Sequence, residues 1–430
     1  MESLPNTQTL SQPRRLNTPT REALLQGFEA HETRSRIWLG VEVLIIIVGL
    51  GWWLIQPTTL PGWQWALMFT VGFLGLFDFI VSQQLSNRKL INDVRPDAKL
   101  GKHTRDSLLA ATERVKEKLG LSQHPVRVYL AREKEVNAYA MRLELLPGWH
   151  LFNQVQLNRS IVHLLDEKEL ESVIGHELGH IYAWSPIGSR CMLIHALFSG
   201  VLTLLIGQAL SDYEIALGAP LLALFVTRWA AFSTWTTQIR MIEFLCDDYG
   251  ACAAGVIPAM TAEIKIGIEQ EARAELLQQV LQAKAKNTSV PISDLMQAYE
   301  DALPFGEVHS ESAREHMKAN IKARMAGDET SSMKGFFNYI YKSDDTDHEA
   351  LDEIIDRSKR LRQLAKVPIS LPEVIKNPQL MEQCVQQIEA HPQHLLLHLE
   401  EEIDDRQVTH PNVSRRLLYL WRNREAIMAD

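Results

Sequence analysis

Four apolar blocks constrain this chain more than any other feature. They run from Ile37 to Ile55, from Trp63 to Val81, roughly from Cys191 to Leu210, and roughly from Ile215 to Phe232. Each is close to the ~20 residues that an α-helix needs to cross a hydrocarbon core. Residues 56–62 between the first two are uncharged and rich in helix breakers, and the second pair is joined by the short acidic stretch 211–214. The blocks therefore pair into two hairpins. Trp38, Trp52, Trp53, Trp63 and Trp65 sit at or near the ends of the first two, where an interfacial belt belongs. The first block starts too far into the chain, and is followed too soon by a second, to be a cleaved signal peptide.

Charge sets the orientation. Arg14, Arg15, Arg21, Arg34 and Arg36 precede the first block, and Arg88, Lys89, Arg95, Lys99 and Lys102 follow the second, while neither hairpin turn carries a Lys or Arg. The positive-inside rule places the N-terminus, residues 83–187 and everything after 233 in the cytoplasm. Three charges fall inside the blocks: Glu42, Asp78 and Arg228. Asp78 and Arg228 are expected to pair at similar depth, and Glu42 to be solvated near the cytoplasmic end of its span.

The apolar content, 46% of 430 residues, excludes a predominantly disordered chain. A net charge of −9 leaves no basic field to attract nucleic acid, so no nucleic-acid partner is expected. The four cysteines show no CxxC spacing and are too few for a disulfide scaffold. Residues 1–30 read as a flexible polar tail. A helix is expected over 106–120, strands over 126–130 and 151–157, and a helix with N-cap Asp166 and Glu169 three residues on. Residues 261–285 are helical in composition, and 326–348 read as a linker or mobile loop. The parts are then a cytoplasmic N-terminal tail (1–36), hairpin one (37–82), a first soluble part (83–188), hairpin two (189–232), a second soluble part (233–325), the linker (326–348) and a helical C-terminal region (349–430).

The helix that starts at Asp166 carries His176-Glu177-Leu178-Gly179-His180. Histidines at i and i+4 share a helical face, so both imidazoles can reach one metal ion, and neutral imidazoles suit zinc. Glu177 lies beside them, placed to take a proton from a water at the metal, which is the metalloprotease arrangement. A catalytic zinc needs a third protein ligand and an open position. Downstream, Glu243 and Asp247 are again i and i+4. Such a pair suits a division of labour in which one carboxylate binds the metal and the other holds a ligand histidine by its free N–H.

These motifs make the chain similar to the membrane zinc metalloproteases of the HtpX and CAAX prenyl protease superfamily, most of all to the HtpX branch. The carriers are His176 to His180; Arg240 with Glu243, Phe244 and Asp247, where Cys246 stands for the usual Ala; Asn137-Ala138-Tyr139-Ala140; and the order of two spans, motif helix, two spans, glutamate. The likeness covers roughly residues 37–255, with a late match at Thr409-His410-Pro411 and Arg416-Leu417. It implies His176, His180 and Glu243 as ligands of one zinc ion per chain, Glu177 as general base, Asp247 as the carboxylate behind a ligand, and Asn137 in the cleft beside a sheet edge that pairs with an extended peptide. It also implies a late histidine that stabilises the oxyanion: His410 by motif, His309 by position.

The fold expected is mainly α with a small β-sheet edge, a four-helix transmembrane part joined to a cytoplasmic gluzincin-type zinc metalloprotease domain. The function expected is a multi-pass endopeptidase of a bacterial inner membrane that cleaves membrane or misfolded proteins at the cytoplasmic face. Its partners would be protein or peptide substrates and the lipid bilayer. Two alternatives remain open, a CAAX-type processing protease and a membrane chaperone or adaptor that keeps the protease fold.

Overall fold

The computed structural model describes residues 18–55, 88–131, 135–144, 146, 149–185, 187–209, 240–286, 365–397 and 411–429. The second and fourth apolar blocks, with Asp78 and Arg228, lie outside the described residues, as do the 326–348 linker, His309 and His410. The described part is mainly helical around a small mixed sheet.

Helix α1 spans Arg21–Ile55. It begins well before the expected tail ends, because its first turns have something to pack on. Leu24 is buried in the C-terminal core, Phe28 meets Trp184 edge-on at 5.2 Å, and Arg21 Nε donates to Asp248 at 2.6 Å. Past residue 36 the same helix turns apolar and exposed: Ile37, Leu44, Ile47, Val48, Leu54 and Ile55 each show 60% or more of their surface. Such a surface is unsuited to water. Among the described residues this is the one helix long and apolar enough to cross a membrane, where four were expected. On this apolar stretch Glu42 is buried and not solvated as expected, and His195 Nδ1 stands 2.7 Å from its carboxylate.

The sheet follows. β1 (Arg88–Leu90) is followed by a small ribbon of β2 (Lys99–Leu100) and β3 (His103–Thr104). Helix α2 (Arg105–Lys118) is capped by Thr104, whose hydroxyl accepts from Ser107 N–H, and it ends before Gly120 at φ +68°. β4 (Arg127–Ala131), β5 (Ala138–Glu144) and β6 (His150–Asn158) complete a four-stranded sheet in the order β1-β4-β6-β5. β4 and β6 are parallel and the other pairs antiparallel, which leaves β5 at an edge. The expected strands are β4 and β6; β1 and β5 were not foreseen.

Helices α3 (Arg159–Leu164) and α4 (Glu167–Leu178) come next, and a π-helical turn, Gly179–Ala183, extends α4. A 3-10 turn, Ile187–Arg190, leads into α5 (Met192–Ala209), which packs along α1. Next among the described residues come α6 (240–254) and α7 (Val256–Lys286). The C-terminal region adds α8 (Leu371–Lys376), α9 (Met381–Ala390), α10 (Val413–Arg422) and α11 (Arg424–Ala429).

Two cores result. One joins the inner face of the sheet to α2 and α4, with Leu108, Val115, Val155, Leu157, Leu170 and Ile174 at its centre. The other joins α6 and α7 to the C-terminal helices through Leu245, Met260, Val374, Val385, Leu417 and Tyr419. The C-terminal region is thus part of the same packed body as the motif helix, and Leu24 of α1 is buried in it.

Candidate metal centre

Helix α4 is held at its start so that its last turns can carry the donors. Glu169 accepts from the Asp166 backbone N–H at 2.7 Å, closing the expected capping motif. Lys265 of α7 donates to the same Glu169 at 2.7 Å and to Asp166 at 3.1 Å. At the other end His180 sits in the π-turn, a widened geometry that recurs at functional sites.

Helix α6 crosses α4 at very short range. A Cβ on Gly250 would lie 2.5 Å from the Ser172 carbonyl oxygen and 3.2 Å from the His176 backbone nitrogen. One on Gly179 would meet Cys246 Sγ at 3.0 Å, so the cysteine fills the space beside that glycine. The crossing brings Glu243 and Asp247 onto the histidines.

His176, His180 and Glu243 each offer one ligand atom, and all three atoms lie within 4.8 Å of one another. His176 Nε2 is 3.1 Å from His180 Nε2 and 3.5 Å from Glu243, and His180 Nε2 is 3.4 Å from Glu243. Donors about 2.0–2.1 Å from a tetrahedral zinc stand roughly 3.3 Å apart, so the observed spacing fits that ion. His176 Nδ1 donates to Asp247 at 2.9 Å, which leaves Nε2 with its lone pair toward the common point.

The electrostatics fit as well. Burial disfavours a charged His176, but hydrogen bonds to Asp247 and Glu243 outweigh it and raise its pKa well above the ordinary value. A site that so strongly favours a proton favours a cation. Behind Asp247 stands Arg416 of α10, whose Nε donates to Asp247 at 2.8 Å and whose other nitrogens reach Asp247 and Glu263. Burial would raise Asp247; Arg416 and then His176 hold it below the usual range. Glu263 is pushed up to about 6, by burial first, with Arg416 opposing.

A cavity of about 590 Å³ opens over these groups. Glu177, which is 7% exposed, lines it beside the three donors. Asn137 lines it from the start of β5, its side-chain oxygen accepting from Ala138 N–H at 2.9 Å. Of the late motif, Pro411 and Arg416 also line it, whereas His410 and the alternative His309 fall outside the described residues. The structure therefore brings together His176, Glu177, His180, Glu243, Asp247 and Asn137. Reading the sequence missed the ion pairs of Arg416, although Arg416 stood in the late motif. It also missed Glu263, which nothing distinguishes from other acidic residues on a helical pattern.

The sequence profile of peptidase family M48 matches residues 102–266. No curated protein matches the chain, and no solved structure does.

Proposed function

We propose that this protein, whose residues 102–266 match the peptidase family M48 profile and bring His176, His180 and Glu243 together, is a metalloendopeptidase that works from a membrane on extended segments of membrane or misfolded proteins. The observation that carries the reading is the convergence of three metal donors beside Glu177 at the floor of one cavity.

One zinc ion per chain, held by His176, His180 and Glu243, would supply Lewis acidity to the scissile carbonyl and to the attacking water. Asp247 fixes the His176 tautomer, and Arg416 keeps Asp247 ionised. Glu177 takes the proton of the attacking water and hands it to the leaving amine. The substrate lies extended along β5, whose outer edge has no strand beside it among the described residues. Backbone groups there can pair with a peptide while the cavity receives its side chains. Asn137, at the cavity end of that strand, lines the path of the peptide.

The exposed apolar half of α1 suits a bilayer, and the apolar blocks of the sequence suit four spans with the cleft on the cytoplasmic side. HtpX-like quality control is the role that best fits this combination. The test is Glu177→Gln in purified protein. Zinc content should stay at wild type while chelator-sensitive casein cleavage disappears. Undiminished cleavage by the variant would sink the reading.

A further inference from the structure

We propose that Arg142, Glu144 and Arg190 form a positioning network that sets the substrate edge of β5 against the turn carrying His180. This rests on the reading that an extended peptide pairs with β5.

The inward face of β5 changes character along its length. Ala138 and Ala140 pack against the sheet core and border the cavity. The next two inward positions are Arg142 and Glu144. The Glu144 side chain is 0% exposed, and Arg142 donates to it at 2.7 Å. Arg190, from the 3-10 turn before α5, donates to the same carboxylate oxygen at 2.8 Å. A second nitrogen of Arg142 reaches the Ile181 carbonyl oxygen, one residue past His180.

The edge strand and the lead-in to α5 therefore meet on one buried carboxylate, and Arg142 ties the π-turn that carries His180 to it. That lead-in is tied in turn to α1, where Glu32 accepts from Ile187 N–H at 3.0 Å. The β5–β6 ladder shifts register between Leu143 and Glu144. The ladder is thus irregular where the network sits, although it stays paired on both sides of the shift. A buried ion cluster is weak as a source of stability compared with apolar packing, but its directional bonds fix geometry. Fixed geometry is what a peptide on β5 requires, because a misplacement of about 1 Å at the reacting centre can cost about 100-fold in rate.

The experiment compares two substrates on the zinc-loaded full chain in detergent. One peptide is long enough to run the length of β5, and the other is a blocked dipeptide spanning only the scissile bond. Arg142→Lys keeps the charge but loses the fork between Glu144 and the Ile181 carbonyl. Glu144→Gln keeps the shape without the charge. Both should keep their zinc and raise KM for the long peptide about tenfold, with kcat/KM falling about 10–100-fold. The short substrate should change little, and the double variant should be no worse than the more impaired single variant. Equal losses on both substrates, or wild-type values on both, would overturn the network's role. Should Glu144→Gln fail to fold, Arg190→Lys, at a site 31% exposed, reads the same ratio. Wild-type protein that cleaves both substrates alike removes the β5 reading itself, and the network's role with it.

Discussion

Asp247 accepts from two groups at once, His176 Nδ1 on one side and the Arg416 guanidinium on the other. Removing its charge should therefore act on the metal through His176. Asp247→Asn is expected to weaken zinc binding about 10–100-fold, as loss of a carboxylate behind a metal ligand usually does. The pH dependence carries a second signature. His176 is raised above 6.5, so zinc must displace its proton, and affinity should fall as pH drops through the raised value. Asparagine lowers that value, so the pH at which zinc is lost should move down even though alkaline affinity is poorer. For the metal-free chain the sign is the opposite. The His176–Asp247 pair contributes stability that is full below 6.5 and is lost as pH rises through the raised value. Zinc affinity by chelator competition across pH tests this, and an unmoved midpoint in the variant would show that Asp247 does not set the protonation of His176.

The crossing of α4 and α6 is the element-scale condition for the site. Gly250→Ala puts a methyl group against the Ser172 carbonyl, and backbone cannot yield as a flexible side chain can. The helices should separate by a few tenths of an ångström or more, carrying Glu243 away from His176. The expected outcome is weaker zinc binding and a destabilised fold, on the order of 1–3 kcal/mol as for other overpacked cores. Wild-type affinity in a folded Gly250→Ala protein would place the tolerance of the site elsewhere. Elements differ in how plainly the sequence announces them, and the site shows why. Helix α4 declares itself through Asp166 and Glu169, and its histidines through their spacing. Strands β4 and β6 follow from β-branched and apolar alternation. β5 is harder to read, because the alternation of Tyr139, Met141 and Leu143 is interleaved with Ala138, Ala140, Arg142 and Glu144, types that favour helices. The π-turn leaves no trace, since hydrogen-bond offset is not written in residue type. The start of α1 does carry a stripe, Arg21, Leu24 and Phe28, but within a polar, proline-bearing stretch it is outweighed. That Glu243 and Asp247 face His176 is a long-range contact, which their spacing could suggest and the family likeness support, but which only the packing of α6 on α4 shows.

At the scale of the whole molecule, the catalytic body is threaded between apolar segments. β1 to the π-turn falls between the first and second apolar pairs, and α6 with α7 follows the second. Residues from both parts make the site, so the two pairs must enter and leave the same side of any membrane they cross. Helix α1 adds a geometric constraint. Its polar half packs on the catalytic body through Arg21, Leu24 and Phe28, and its apolar half projects away, with Glu42 turned inward to His195 of α5. A buried carboxylate in such a setting needs a partner, since an isolated charge at mid-span costs about 2.5–3.5 kcal/mol on insertion scales. The cleft must then share a side with the N-terminal end of α1, where Arg21, Arg34 and Arg36 stand. If α1 crosses a membrane, the positive-inside rule predicts that side to be the cytoplasm. Reporter fusions after residues 60 and 212 should accordingly read the far side, and fusions after 120 and 260 the cytoplasm. A fusion after 120 that reads the far side would move the cleft, and with it the class of substrate. A fusion after 212 that reads the cytoplasm would leave the first hairpin in place and show that the second apolar pair does not cross.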